Sequence, residues 1–180
     1  TMYNIPMYCE LPKNADKERF LTAVQKADSI HPAFGVNVAL GGGAPVMRIH
    51  KEYLEAFIEE RETDDLEKEK RDFARPFAME GEPLYRMSLC RYRDRWYFFF
   101  DVQHFIFDGV SVNVFLRDIS RLYKGQEPKA EKISLTDMAI YEEGRKETAR
   151  YQKAREFFRA RLKGEDIRES LRKDFKKKTV

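Results

Sequence analysis

The sequence has few of the residues that build metal sites and disulfides. Its 180 residues include only two cysteines and three histidines, and they form no CxxC pair and no closely spaced histidines. We therefore predict no metal site. Cys9 and Cys90 lie in strand-like stretches, and we interpret both as reduced, buried packing residues.

The sequence also lacks a strong excess of charge of either sign, and it has no long apolar runs. Lysine and arginine number 34 against 31 aspartates and glutamates, a formal charge of +3, which gives no strong field for nucleic acid. Much of the excess lies in RKDFKKK (172–178), typical of a solvated tail. No signal peptide is evident, and no apolar run approaches the roughly 18 residues of a membrane span. We expect a cytoplasmic protein with neither nucleic acid nor membrane as partner.

What the sequence does have is a dense apolar pattern, 42% hydrophobic and 13% aromatic, enough for one domain with a core. Alternating apolar residues and turn signals predict strands at 3–11, 84–92 and 95–103 and a hairpin around GGGA at 41–44. Helical spacing and capping residues predict helices from Asn14 or Asp16 to about Ser29, over 51–61, from Thr63 or Asp64 to Pro76, from Gly109 to Gly125, and from Ser134 to about Leu162. Because strands and helices interleave, the fold class is α/β or α+β.

The stretch DVQHFIFDGVS (101–111) joins a very apolar strand to a helix. In a structural interpretation Asp108 caps the helix, Gly109 relaxes the turn and His104 is a hydrogen-bonded core residue. In a functional one His104 is a neutral imidazole, with a pKa near about 6.5, that acts as a general base. Ser111 and the helix N-terminus would then donate to a developing oxyanion. Spacing alone favours the structural interpretation, and it makes His31 and His50 structural or exposed residues.

A family resemblance changes this balance. HFIFDGVS (104–111) resembles the HHxxxDGxS signature of the condensation domains of non-ribosomal peptide synthetases, which belong to the chloramphenicol acetyltransferase superfamily. RPFAMEGEPLYRMSL (75–89) is similar to the family pattern RPFDLxxGPLxRxxL. SLTDMAIYEEG and the residues after it (134–164) are similar to YxDYAxWQ…YWxxxLxG. The resemblance spans residues 3–164, with the motifs in the family order.

The resemblance implies a two-layer α/β (α+β) sandwich, a chloramphenicol acetyltransferase-like lobe with a mixed sheet packed by helices. A complete condensation domain has two such lobes. We therefore expect residues 1–164 to be the N-terminal lobe and residues 165–180 to begin the linker to a missing C-terminal lobe. We expect the isolated lobe to be inactive, and the face left exposed by the missing lobe favours a dimer.

The chemistry that the resemblance implies is acyl transfer with formation of an amide. The acceptor aminoacyl amine attacks a donor acyl or peptidyl thioester, with His104 as base or positioning group. Both substrates arrive on the phosphopantetheine of peptidyl carrier protein domains, an adenylation domain is adjacent, and no cofactor is bound directly. Gly109 corresponds to the glycine that leaves room in the turn. Asp108 corresponds to a structural carboxylate that usually pairs with arginine.

The chain departs from the family pattern at two places. Gln103 replaces the first histidine of the signature, and we expect its side chain to point into the core of the lobe. Ile30 and Gly35 stand where the family often has arginines, so we predict that Arg86 pairs with Asp108 instead. These departures leave two alternatives open, a non-catalytic lobe that binds carrier domains or other partners, and a different acyltransferase that uses CoA thioesters.

Overall fold

The computed structural model describes residues 3–55, 57–129 and 132–164. Within them the elements follow in the order β1 (Asn4–Glu10), α1 (Lys17–Ile30), β2 (Val36–Gly41), β3 (Ala44–Ile49), β4 (Ile58–Thr63), α2 (Leu66–Phe73), β5 (Tyr85–Tyr92), β6 (Arg95–Gln103), α3 (Gly109–Tyr123), α4 (Leu135–Arg145) and α5 (Ala149–Arg161). The chain up to Leu135 forms one compact unit and the chain from Thr136 a second. The basic tail and the linker expected at 165–180 lie outside the described residues.

The first unit is built on a mixed four-stranded sheet in the order β1-β6-β5-β4. Strand β6 is antiparallel to both β1 and β5, whereas β4 runs parallel to β5. One face of β6 contributes Phe98, Phe100 and Val102 to the main core, and the other face places Phe99 in a smaller cluster with Phe73 and Cys90. Strand β6 is therefore an interior strand of the sheet, with apolar residues packed on both of its faces.

Helices α1 and α3 cover the main core. Asp16, one of the two predicted caps, begins α1 by accepting a hydrogen bond from the backbone N–H of Arg19 at 3.0 Å. Phe34 is fully buried and its ring lies 5.0 Å from that of Phe115 on α3 and 6.0 Å from that of Phe100 on β6. Burying a ring of this size stabilises the fold by about 1.5–3 kcal/mol, so this contact joins helices and sheet.

Strands β2 and β3 form the predicted hairpin as a separate two-stranded sheet. Its turn places Gly42 at φ 59° and Gly43 at φ 82°. This left-handed backbone is the conformation that glycine adopts without steric cost, which explains the glycines at the turn.

The second unit contains two helices where the sequence predicts one. The break falls at 146–148, between α4 and α5, and Thr148 caps α5. Its hydroxyl donates to the carbonyl of Arg145 at 2.7 Å and accepts from the N–H of Tyr151 at 3.3 Å. One side chain thus satisfies backbone groups on both sides of the break.

The helix predicted over 51–61 is wrong. A short 3-10 turn covers Lys51–Leu54, and Ile58–Thr63 is strand β4. The apolar spacing in this region fits a helix, but β4 hydrogen-bonds along β5, with Ile58 opposite Met87. Tertiary pairing with an available sheet edge overrides a weak local preference.

Two smaller expectations also need correction. Asp65, rather than Thr63 or Asp64, caps α2 by accepting from the N–H of Lys68 at 2.9 Å. Both cysteines are free, as expected, and Cys90 is buried, but Cys9 is exposed. Cys9 lies on β1, which pairs only with β6 within the described sheet, so part of this strand faces solvent.

Candidate functional site

His104 lies directly after the central strand, in the turn that follows Gln103. Its backbone N–H donates to the carbonyl of Tyr3 at 2.7 Å, which ties the turn to the start of the sheet. The side chain is exposed and lines an open depression of about 480 Å³ together with Gln103, Met79 and Phe105. The alternative in which His104 is a core residue is therefore wrong, and the imidazole is free to meet a second molecule at this surface.

Gln103 differs from its expected position. Its side chain is half-buried and lines the same depression as His104, so it does not point into the core. Its backbone N–H donates to the carbonyl of Leu84 at 2.8 Å. An amide at this position offers a hydrogen-bond donor and an acceptor next to His104 but cannot change its charge.

Asp108 is the N-cap of α3 and is exposed. Its Oδ1 accepts from the backbone N–H of Ser111 at 2.8 Å and from the Ser111 hydroxyl at 2.7 Å. These hydrogen bonds, the backbone one first, hold the pKa of Asp108 below its ordinary value. The structural role expected for this carboxylate is confirmed, through a cap rather than through an arginine.

The predicted pairing of Arg86 with Asp108 is wrong. Arg86 lies on β5 directly opposite Asp101 on β6, and its Nη1 is 3.2 Å from Oδ2 of that carboxylate. Asp101 is fully buried and also accepts from the side-chain amide of Asn4 at 2.9 Å. Leaving a buried carboxylate without a cation costs far more free energy than leaving an exposed one unpaired. Arg86 therefore pairs with Asp101.

Sequence analysis missed Asp101 as a partner. Burial raises the pKa of Asp101, and the charge of Arg86 opposes that shift. Arg86 further donates to the carbonyl of Arg75 at 2.7 Å and its guanidinium stacks 3.8 Å from the Phe77 ring centroid. The signal available in the sequence was a single carboxylate inside an apolar strand, in reach of an arginine on the strand joined to it by a tight turn.

Ser111 is not placed for the oxyanion role. Both of its donors, the hydroxyl and the backbone N–H, are directed to Asp108. Ser111 lines a separate cavity of about 120 Å³ with His31 and Phe107, not the depression of His104. Ser111 and His104 therefore line different cavities, although the charge of His104 also contributes to the lowered pKa of Asp108.

The two glycines that bear on the signature behave differently. A Cβ on Gly109 would meet no heavy atom within 4 Å, so nothing in the described chain requires a glycine there for room in the turn. A Cβ on Gly35 would lie 2.9 Å from the carbonyl oxygen of His50. No arginine fits at position 35 without displacing this backbone.

The other two histidines are structural, as expected. His31 is 5% exposed and its Nε2 lies 3.3 Å from Oδ2 of the buried Asp118. His50 pairs through Nδ1 with Glu52 at 3.0 Å. Across the described ranges, no group of three histidine, cysteine or acidic residues could hold a metal ion, and no helix is long and apolar enough to cross a membrane.

Comparison with known proteins places this site in a family. Residues 1–180 match the family model of the condensation domain. The chain is 29% identical over 180 residues to tyrocidine synthase 3 of Brevibacillus parabrevis, covering 99% of this chain and 3% of that protein. It is 32% identical over 142 residues to gramicidin S synthase 2 of Aneurinibacillus migulanus, covering 78% and 3%. The starter condensation domain of the rhizomide synthetase RzmA superposes with a TM-score of 0.73 at 13% identity, over 92% of this chain and 43% of that one.

Proposed function

The chain belongs to the condensation-domain family, whose general activity is amide-bond formation, and from this premise we propose that it is the N-terminal lobe of such a domain in a non-ribosomal peptide synthetase. It spans only 3% of the curated relatives named above and 43% of the solved starter domain. The activity described below is therefore that of a longer protein to which this lobe contributes His104.

The observation that supports this function best is the exposed imidazole at the end of the central strand. An acceptor amine arrives as an ammonium and must lose a proton before it attacks, and a neutral imidazole accepts that proton. The amine nitrogen then bonds to the thioester carbonyl carbon, the carbon–sulfur bond breaks, and the thiolate of the phosphopantetheine arm leaves. The thiolate takes up the second proton, which the nitrogen loses as it becomes an amide, and the imidazolium returns the first proton to solvent. Holding both tethered substrates together lowers the entropic part of the barrier.

The same proposal accounts for the remaining residues of the signature. Asp108 and Ser111 fix the first turn of α3, and the open space at Gly109 leaves room for a substrate to approach the helix N-terminus. The side-chain amide of Gln103 lines the depression beside His104 and is a donor available to the oxyanion. We assign the wall that would close the depression to the missing C-terminal lobe.

In this proposal the partners are peptidyl carrier domains, the missing lobe and an adjacent adenylation domain, working in the cytoplasm. The cofactor chemistry comes from phosphopantetheine arms on the carriers, and the lobe binds no cofactor of its own. We further propose that two isolated lobes pair through the face that the missing lobe would cover. A sequence next to this segment that encodes neither adenylation nor carrier domains would instead favour a CoA-dependent acyltransferase.

His104→Ala in the full-length parent protein tests the catalytic assignment. With donor and acceptor carriers loaded, we expect the rate of amide formation to fall by about 100-fold or more, the usual contribution of a general base. His50→Ala is the matched control, because His50 is another half-exposed histidine that does not line the depression. Mass spectrometry of the product on the acceptor carrier measures the rate. An unchanged rate in His104→Ala would refute the proposal.

A second candidate is a non-catalytic lobe that binds carrier domains. It is favoured by the engagement of both Ser111 donors and by Gln103 in place of a titratable group. In this case His104→Ala leaves product formation by the parent unchanged, whereas deletion of the lobe abolishes carrier binding. The two candidates thus differ in the outcome of the same assay.

A further inference from the structure

A second cavity, of about 260 Å³, lies beside the start of β5, and its lining includes three arginines, Arg61, Arg75 and Arg86. In the sheet register Tyr85 and Arg86 stand opposite Val102 and Asp101, so the cavity lies at the same end of the sheet as Gln103. It shares no lining residue with the depression of His104. It is therefore a separate site, outside the function proposed above.

Two of the three arginines are already neutralised. Arg61 pairs with Glu59 and, at 2.8 Å, with Glu69, although its Nε–H is buried and has no partner. Arg86 pairs with Asp101 and donates to backbone carbonyls. Within the described residues the guanidinium of Arg75 makes no hydrogen bond or ion pair. Burial lowers the pKa of Arg86, and the nearby charge of Arg75 lowers it further, so the two cations repel each other.

None of the acidic residues of the lining forms an ion pair with Arg75 within the described residues. Glu59 bonds to Arg61, and the more distant charge of Arg75 also lowers the pKa of Glu59, whereas Glu52 pairs with His50 at 3.0 Å. Glu55 has no partner in the described part of the chain, and its side chain is exposed. Arg75 is thus the cation of this cavity that is left to bind an anion, and Glu55 is the lining group that would oppose one.

The rest of the lining is apolar and aromatic. Tyr53, Tyr85 and Met87 form part of the wall. Phe57 stands at the same cavity with 84% of its surface exposed, an unusual state for a large apolar ring. Clefts lined by apolar groups with a few placed polar ones are typical of small-molecule sites. A ligand suited to this lining has one negative group and an apolar body.

We propose that this cavity binds a carboxylate attached to an apolar group, with the guanidinium of Arg75 as its anchor. The guanidinium fork matches a carboxylate with two parallel hydrogen bonds. The apolar body lies against Tyr53, Tyr85 and Phe57. The carboxylate belongs either to a free small acid or to the C-terminus of a peptide.

Calorimetric titration of the full chain tests this assignment. Phenylacetate is the probe for a free acid and acetyl-Gly-Gly-Phe for a peptide terminus, and the tighter binder of the two identifies the source. Phenylacetamide keeps the apolar body and removes the charge, and inorganic phosphate keeps a charge without the body. We expect either carboxylate to bind at least tenfold more tightly than both of these controls. Equal binding of the amide, equal binding of phosphate, or no binding of either carboxylate would overturn the proposal.

Variants make the test specific. Arg75→Gln should weaken binding of the carboxylate about tenfold or more, and Glu55→Gln should strengthen it by removing a repelling charge. Arg71→Gln is the matched control, because Arg71 is an exposed arginine on α2 that does not line the cavity. His104→Ala should leave the titration unchanged, so failure of the catalytic proposal remains distinguishable from failure of this one. Weakening by Arg71→Gln equal to that by Arg75→Gln would show only a general effect of charge.

Discussion

Asp101 and Asp108 lie seven residues apart, and their two carboxylates stand in opposite environments. Asp101 is fully buried and depends on Arg86 and Asn4, whereas Asp108 is exposed and is stabilised by a helix start. Removing Arg86 would leave a buried charge without compensation, a change that typically costs about 3–5 kcal/mol. The stability of the site therefore depends strongly on Arg86, a residue that lies outside the signature.

The contributions of the two carboxylates to folding stability should change in opposite directions as the pH rises. Burial raises the pKa of Asp101 in the folded chain, so the folded state holds its proton longer, and stability falls as pH rises from the unfolded value of about 3.9 through the raised folded value. Hydrogen bonds from Ser111 lower the pKa of Asp108, so its stabilisation is present above about 3.9 and is lost as pH falls through the lowered folded value.

Urea unfolding as a function of pH measures both effects. Asp101→Asn should remove the decline of stability with rising pH, and Asp108→Asn should remove the loss at low pH while keeping a capping side chain. Asp16→Asn is a suitable control, since it changes a capping carboxylate on α1 away from both sites. Parallel pH profiles for Asp101→Asn and Asp108→Asn would contradict the environments described here.

At the scale of elements, the site depends on where the central strand ends and helix α3 begins. The end of β6 is held by Tyr3 through the N–H of His104, and the start of α3 by Asp108 and Ser111. The preceding helix α1 leads into a tight turn at Gly35, whose carbonyl accepts from the N–H of His50 at 2.7 Å. This close approach of two backbone segments leaves no room for a larger side chain at position 35.

Two glycine-to-alanine variants test which of these glycines is required by close packing. Gly35→Ala should destabilise the fold by about 1–3 kcal/mol, because its Cβ would press on the carbonyl of His50. Gly109→Ala should leave stability equal or raise it by up to about 1 kcal/mol, since the position is helical and uncrowded. Thermal unfolding measures both. A Gly109→Ala variant less stable than Gly35→Ala would contradict the geometry.

At the scale of the whole molecule, the described residues form two units that together match less than half of a solved condensation domain. The depression with His104 is open, and the Gln103 amide is the donor that lines it beside the imidazole. An open site leaves water in contact with the reacting groups, which weakens electrostatic stabilisation of a transition state. Under the proposed function, catalysis then depends on surfaces beyond the described residues.

We therefore expect the isolated chain to form no amide product. Incubation with loaded donor and acceptor carriers, followed by mass spectrometry, should show the substrates unchanged, whereas the full-length parent converts them. Circular dichroism of the same sample provides the control that the chain is folded. Turnover by the isolated chain at a rate near that of the parent would show that the lobe is sufficient.

Sequence patterns predicted most of the fold but only part of the candidate site. The strands at 84–92 and 95–103, the turn between them, the hairpin and the helix after Gly109 follow from short-range periodicity and turn residues. The helix expected at 51–61 failed because β4 forms only against β5, about 29 residues further along the chain. The cap at Asp108 was recognisable from spacing and His104 and Gly109 from the family resemblance, whereas the role of Asp101 became visible only through the strand register.

By itself, the sequence determined which segments are apolar, where helices are capped, and which family motif follows the central strand. These properties depend on residues within a few positions of one another. Tertiary structure alone decided that His104 faces solvent, that Arg86 pairs with Asp101 instead of Asp108, and that the Arg75 guanidinium makes no hydrogen bond or ion pair within the described residues. Each of these outcomes depends on the register of paired strands and on burial, because charges choose partners by distance and by the cost of leaving water.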